Sequence, residues 1–283
     1  MSKQKIINGD CIETMKRLKS CSISSIITDP PYHLKSIVER FGKENSKPAS
    51  SGTEGSKGVF GRSSKGFMGK EWDGGDIAFN TEVWTEALRV TKPGGFLFAF
   101  GGTRTAHRMA VAIEDSGWVC RDYIEWVYSS GFAKATKLDT GMKKYGGNVE
   151  EWKSHKSPLL KPAHEPIYIF QKPMLDEGEP NVIDWKAPFF YCAKTSTKER
   201  SVGGKVKNNH PCLKPIKLLS YLLDLVTPPE NYKKDFVILD PFMGSGSMGC
   251  ACVIKDVNYI GIELDEEYCK IAQARIEAYQ DEK

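Results

Sequence analysis

Three acids stand where apolar runs give out. Asp29 opens DPPYHL directly behind SISSIIT, Asp240 ends FVILD just before PFMGSGSMG, and Glu263 ends NYIGIE. Two consecutive prolines cannot continue a sheet ladder, since proline donates no N–H and drives the residue before it toward extended geometry. The chain therefore leaves its strand stiffly through Asp29, Pro30, Pro31 and Tyr32, holding a carboxylate and an aromatic ring still at a strand end.

The second and third acids bracket a strand–turn–helix–strand unit. Gly244, Gly246 and Gly249 follow Asp240 at GxGxxG spacing, and Glu263 closes the next strand. Small residues in such a turn let a nucleotide approach the helix N-terminus, and a carboxylate at the second strand end can take two ribose hydroxyls. A dinucleotide needs a second mononucleotide half, but one helix follows Glu263. An acid at position 240 repels a pyrophosphate and suits a sulfonium and an ammonium. The pattern favours S-adenosylmethionine over NAD, the other reading of Asp240 being a simple cap on the turn.

Strand-like runs are expected near residues 29, 98, 124, 168, 239 and 262. Helical stripes lie between several of them: VWTEALRV before Pro93-Gly94, IKLLSYLLDLV before its own prolines, and EEYCKIAQARIEAY. This alternation predicts an α/β fold, a doubly wound and mainly parallel sheet of Rossmann-like type in a single domain over 1–283. NGDC at 8–11 supplies a further strand end, which puts Asp10 beside the adenine of the ligand and the strand before Asp29 next to the one before Asp240. Ligands bind at the carboxyl ends of parallel strands, so prolines and glycines face one crevice. Two segments break the rhythm: 35–75, rich in Gly, Ser and Lys, and 173–209, irregular and basic.

At 40% hydrophobic and 27% charged, the 283 residues can bury a sizeable core. The absence of an apolar run of ~18 residues, together with a polar start, predicts a cytoplasmic protein. Eight scattered cysteines without a CxxC pair give neither a zinc site nor a disulfide framework, so no metal is expected. Residues 133–218 carry 16 Lys and Arg against 9 Asp and Glu, whereas 219–283 carry 6 against 12. A basic middle beside an acidic end suits a nucleic-acid surface next to a cationic-ligand site.

DPPY at 29–32, DPFMGSGSMG at 240–249, HPCLKP at 210–215 and NGDC at 8–11 together resemble the amino-methylating DNA methyltransferases, which act on adenine N6 or cytosine N4. Their order resembles the circularly permuted β-class. The resemblance implies that the Asp29 carboxylate and the Pro30 carbonyl each accept one N–H of an exocyclic amino group, that Pro31 stiffens the turn, and that Tyr32 stacks on a base swung out of the duplex. It assigns the cofactor S-adenosyl-L-methionine to Asp10, Cys11, Asp29, His210, Pro211, Lys214, Asp240, Phe242, Gly244, Ser245, Gly246, Glu263 and Leu264, with Lys214 or nearby backbone meeting the methionine carboxylate. Cys212-Leu213 stands where the family often shows Thr-Gln. Trp126, in EWVYSSGFAKA, packs either near the flipped base or in an ordinary aromatic core, and His33 is expected as an exposed or hydrogen-bonding residue rather than a base.

Double-stranded DNA is the expected partner. Lys194, Lys198, Arg200, Lys205 and Lys207 are the expected phosphate contacts, 173–209 a small target-recognition region, and 35–75 a mobile loop over DNA. DPPY leans toward adenine N6, with cytosine N4 the alternative. A homodimer and a cognate restriction endonuclease are possible partners by the same resemblance. An RNA methyltransferase, an NAD-dependent dehydrogenase and a silent DNA-binding subunit are the other readings.

Overall fold

The computed structural model describes residues 2–32, 76–129, 131, 138–139, 142, 148–153, 155, 163–174, 188–210 and 212–282. Segment 35–75, His33, Phe132, Pro211 and residues 175–187 of the basic region lie outside them.

Eight strands form one sheet: β1 (Gln4–Asn8), β2 (Ser25–Thr28), β3 (Phe96–Phe100), β4 (Val119–Val127), β5 (His164–Gln171), β6 (Phe189–Tyr191), β7 (Val237–Asp240) and β8 (Asn258–Glu263). Their spatial order is β1-β8-β7-β2-β3-β5-β4-β6. The first five in that order are parallel, β5 runs antiparallel to β3 and β4, and β6 returns parallel to β4. As the sequence pattern predicts, the strand before Asp29 pairs with the one before Asp240; β1, which ends at Asn8, pairs with β8, which ends at Glu263. The antiparallel orientation of β5 and the existence of β6 were not foreseen.

Parallel strands need covers on both faces, and the sequence supplies them by alternation. In β2, Ile27 joins one core and Ile26 the other; in β3, Phe98 joins the first while Leu97 and Ala99 join the second. Each such fully buried Ile, Leu or Phe side chain contributes about 1.5–3 kcal/mol. The first face is covered by α5 (Ile216–Val226), α7 (Ser247–Lys255) and α8 (Glu266–Gln280). The second is covered by α1 (Cys11–Lys16), α2 (Thr81–Val90) and α3 (Ala106–Asp115). Two single-turn helices, α4 (Thr197–Arg200) and α6 (Glu230–Lys233), lie in the connections around α5. Local chemistry sets the helix starts: Asp10, Asn80 and Asp265 each accept a first-turn N–H, and Pro215 precedes α5. No helix among the described residues is long and apolar enough to cross a membrane.

Candidate active site

At the carboxyl end of β7 the turn into α7 is built from backbone. Gly244 and Gly246 have φ of 55° and 78°, where a side chain is strained. Added Cβ atoms would stand 3.0 Å from His210 Nε2 and 2.8 Å from the Ala272 Cβ. The Gly244 N–H donates to Glu263 Oε2 at 2.8 Å and the Asp265 N–H to Glu263 Oε1 at 2.9 Å, so the end of β8 is locked to the turn. Asp240 is buried; its Oδ1 accepts from the Thr28 hydroxyl at 2.7 Å and the Phe242 N–H at 3.1 Å. That pair of bonds ties the end of β7 to the end of β2.

One residue beyond Thr28 lies the DPPY turn. Pro30 is buried, and Asp29 is half-buried with its Oδ1 closed off and without a hydrogen-bond partner among the described residues. Its Oδ2 accepts from Lys214 Nζ at 2.5 Å, and the same buried ammonium lies 3.5 Å from Glu165 Oε2. Lys214 also stands 5.1 Å and 5.0 Å from the ring centroids of Tyr32 and Phe100. The Tyr32 hydroxyl donates to Glu165 Oε2 at 3.0 Å, while the Thr105 hydroxyl donates to the Tyr32 carbonyl at 2.7 Å. The other Glu165 oxygen meets Tyr128 Oη at 3.4 Å and Lys194 Nζ at 3.6 Å.

The charges follow from these contacts. Burial lifts the Asp29 carboxyl above its usual range, against the pull of Lys214. Burial also pushes Asp240 up to about 7, with Asp29 and Glu263 adding repulsion, and raises Glu263 against the backbone N–H groups of Asp265 and Gly244. Burial works against the Lys214 ammonium, but Asp29 and Glu165 hold it charged. Burial opposes the charge on Glu165 too, and Lys214 and Lys194 keep its pKa below the ordinary value. Asp29, Asp240 and Glu263 thus gather three carboxylates at neighbouring strand ends, with Lys214 on Asp29 and Arg275 on the Ser245 carbonyl of the glycine turn.

The remaining expected residues are placed as follows. Asp10 is exposed and caps α1 through the Glu13 N–H; Cys11 is buried, its thiol pushed up to about 12 by burial. His210 is buried against the glycine turn and edge-on to Tyr268, and burial drops its pKa to about 4. Ser245 is buried and takes bonds from Asn208 and Arg275, while Leu264 is exposed. Phe242 is half-buried, 6.3 Å from the Trp84 ring.

Lys194 lies 4.2 Å above the Tyr128 ring, Arg200 donates to the His210 carbonyl, and Lys205 pairs with Glu282 at 2.6 Å. Lys198 and Lys207 are exposed. Trp126 is a core residue, 1% exposed, and donates to the Cys192 carbonyl at 2.8 Å. Sequence reasoning missed Glu165 altogether. The acid stands beside a strand run, in HEPIYIF, but it reaches the crevice only because β5 is antiparallel, which brings its first residues to the carboxyl ends of β2 and β3.

A protein-family profile described as DNA methylase matches residues 23–274. The chain belongs to this N6/N4 DNA methylase family. The methylase is 28% identical over 298 residues to the type II methyltransferase M.HindIII of Haemophilus influenzae, covering 96% of this chain and 94% of that one. It is 26% identical to the type II methyltransferase M2.MboI of Moraxella bovis, covering 95% and 86%. Among solved structures it shares its fold with an M1.HpyAVI–SAM complex (TM-score 0.56, 19% identity, 96% and 99% covered). It also shares it with the cytosine-N4-specific PvuII DNA methyltransferase (TM-score 0.63, 16% identity, 99% and 91% covered). The sheet and helices of the methylase are thus those of a Rossmann-like methyltransferase fold.

Proposed function

We propose that this methylase transfers a methyl group from S-adenosylmethionine to the exocyclic N6 amino group of adenine in double-stranded DNA, on a base turned out of the helix. The observation that carries the reading is the juxtaposition of Asp29 with the Asp240–Glu263 pocket: the Thr28–Asp240 bond joins an unfilled acceptor to the nucleotide-binding turn.

The residues fit the cofactor. Three carboxylates with pKa values raised by burial favour a cationic ligand, and the glycine turn, in left-handed backbone, packs directly on His210 and Ala272 with no side chain of its own at Gly244 and Gly246. Glu263 would hold the ribose hydroxyls, Asp10 and Cys11 would flank the adenine, and Phe242, Gly244, Ser245 and Gly246 would line the sugar and methionine, with His210 and Leu264 at the rim. When bound, S-adenosylmethionine supplies an electrophilic methyl on a positively charged sulfur.

The lone pair of an exocyclic amino group is delocalised into its ring and is a poor nucleophile. The Asp29 carboxylate and the Pro30 carbonyl each accept one N–H, draw the nitrogen toward tetrahedral geometry and stabilise the positive charge that develops there. Asp29 Oδ1 is a buried acceptor with a hydrogen bond to gain. Tyr32 offers its ring to the extruded base, its backbone held by Thr105. Phosphate contacts fall to the exposed Lys198 and Lys207, in the stretch 173–209 assigned to target recognition; the DNA-contacting role expected of 35–75 falls on residues outside the described ones. Lys194, Arg200 and Lys205 are engaged with groups of the protein itself and contribute less.

Adenine is assigned because the resemblance of DPPY leans that way. Treating duplex DNA with enzyme and labelled cofactor, then digesting to nucleosides, tests it: labelled N6-methyladenine is expected. Labelled N4-methylcytosine would replace the base assignment, and unlabelled DNA would overturn the reading.

A further inference from the structure

Glu165 lies outside DPPY, DPFMGSGSMG, HPCLKP and NGDC, yet it shares the Lys214 ammonium with the acid that the proposed chemistry uses. Its carboxylate is largely buried, and each oxygen serves two groups: Oε2 takes the Tyr32 hydroxyl and faces Lys214, while Oε1 faces Tyr128 and Lys194. Two carboxylates and two ammoniums are thereby interleaved in the order Asp29, Lys214, Glu165, Lys194. Such pairs are sensitive to the loss of one member, because the remaining charges redistribute.

Lys214 sits between two carboxylates and bonds to one oxygen of Asp29. A buried ammonium has three donors on a flexible stem, so with a single carboxylate partner it is free to bond either oxygen. We propose that Glu165 is a positioning residue: by sharing the Lys214 ammonium it holds that ammonium on Oδ2 of Asp29 and keeps Oδ1 for the amino group of the target base. Tyr32, Tyr128 and Lys194 in turn fix Glu165. The inference rests on the role given to Asp29 above and deepens it.

The test is Glu165→Gln, nearly isosteric but uncharged, in the full-length enzyme with duplex DNA. Single-turnover methyl transfer at neutral pH should fall by ~10–100-fold, since small displacements of a reacting group cost that much. Dissociation constants for S-adenosylhomocysteine and DNA should stay within about twofold, a split that separates positioning from binding.

The groups facing Asp29 are Lys214, Glu165, Tyr32 and Asp240. Removing the Glu165 charge leaves Lys214 wholly to Asp29, so the acid limb of the rate profile should move to lower pH. Acting through Lys214, the substitution should cost less than about twofold in a Lys214→Met background. A loss under about tenfold in the parent, equal losses in both backgrounds, or an acid limb moving upward would overturn the inference.

If Glu165→Gln does not fold, Glu165→Asp decides instead. Keeping the charge, it should retain the rate within ~5-fold, and a deeper loss with intact cofactor binding contradicts the proposal. Asp29→Ala run alongside separates the layers. Transfer by that variant would remove the reading of Asp29 itself, whereas a silent Asp29→Ala with a near-parental Glu165→Gln would remove only the role of Glu165.

Discussion

The two ends of the crevice are built by different means. The glycine-turn end is made of backbone N–H groups closed on one side chain, its key bond running from the Gly244 N–H to the Glu263 carboxylate across 19 residues. The DPPY end is made of side-chain charges from three distant segments: Lys214 meets Asp29 across 185 residues and Tyr32 meets Glu165 across 133. A backbone site depends on conformation and tolerates charge changes at a distance. A charge cluster depends on every member, because each buried ion is supported by the next.

Substitutions at the two ends should therefore fail differently. Glu263→Ala removes a carboxylate that anchors the turn and is assigned to the ribose; cofactor affinity should weaken by ~100-fold in calorimetry, about the loss of one strong charge-assisted hydrogen bond. Unchanged affinity would dissociate this end from cofactor binding. Gly246→Ala forces a side chain to φ 78° against Ala272 and should cost about 2 kcal/mol in urea unfolding, a stability effect with no counterpart at the charged end.

Lys214→Met acts in the opposite way. Without the ammonium that lowers it, the Asp29 pKa climbs further, so the acid limb of the methyl-transfer rate should move to higher pH. The neutral-pH rate should fall on the order of tenfold, since fewer molecules keep an ionised acceptor. An unmoved limb would detach Lys214 from Asp29. Smallest of all, Lys198→Ala or Lys207→Ala should weaken DNA binding a few-fold and reduce the salt slope by about 0.9 for each lost phosphate contact.

This contrast also explains what could be read in the sequence. The positions of β7, α7 and β8 follow from glycines, an acid and apolar runs within 30 residues, all of it local information. The pairing of β2 with β7 followed from the strand ends at NGDC and Asp29 plus the rule that ligands meet parallel strands at their carboxyl ends. The orientation of β5 leaves no local mark, since a buried run such as PIYIF reads alike in either direction, and with it went Glu165. Trp126 illustrates the same limit: nothing in EWVYSSG tells a base-stacking ring from a core ring, and the Cys192 carbonyl that receives its N–H lies 66 residues away. The basic stretch around 194–207 was legible as charge only, not as the internal contacts that Lys194, Arg200 and Lys205 make.

The central claim is that Asp29 serves the amino group while the glycine-turn end serves the cofactor. Asp29→Ala, assayed with labelled S-adenosylmethionine on duplex DNA beside calorimetric binding of S-adenosylhomocysteine, tests it most directly. The expected result is methyl incorporation below ~0.1% of the parent with a cofactor dissociation constant within about threefold. Near-parental incorporation, or a loss of incorporation matched by an equal loss of cofactor binding, would contradict the account.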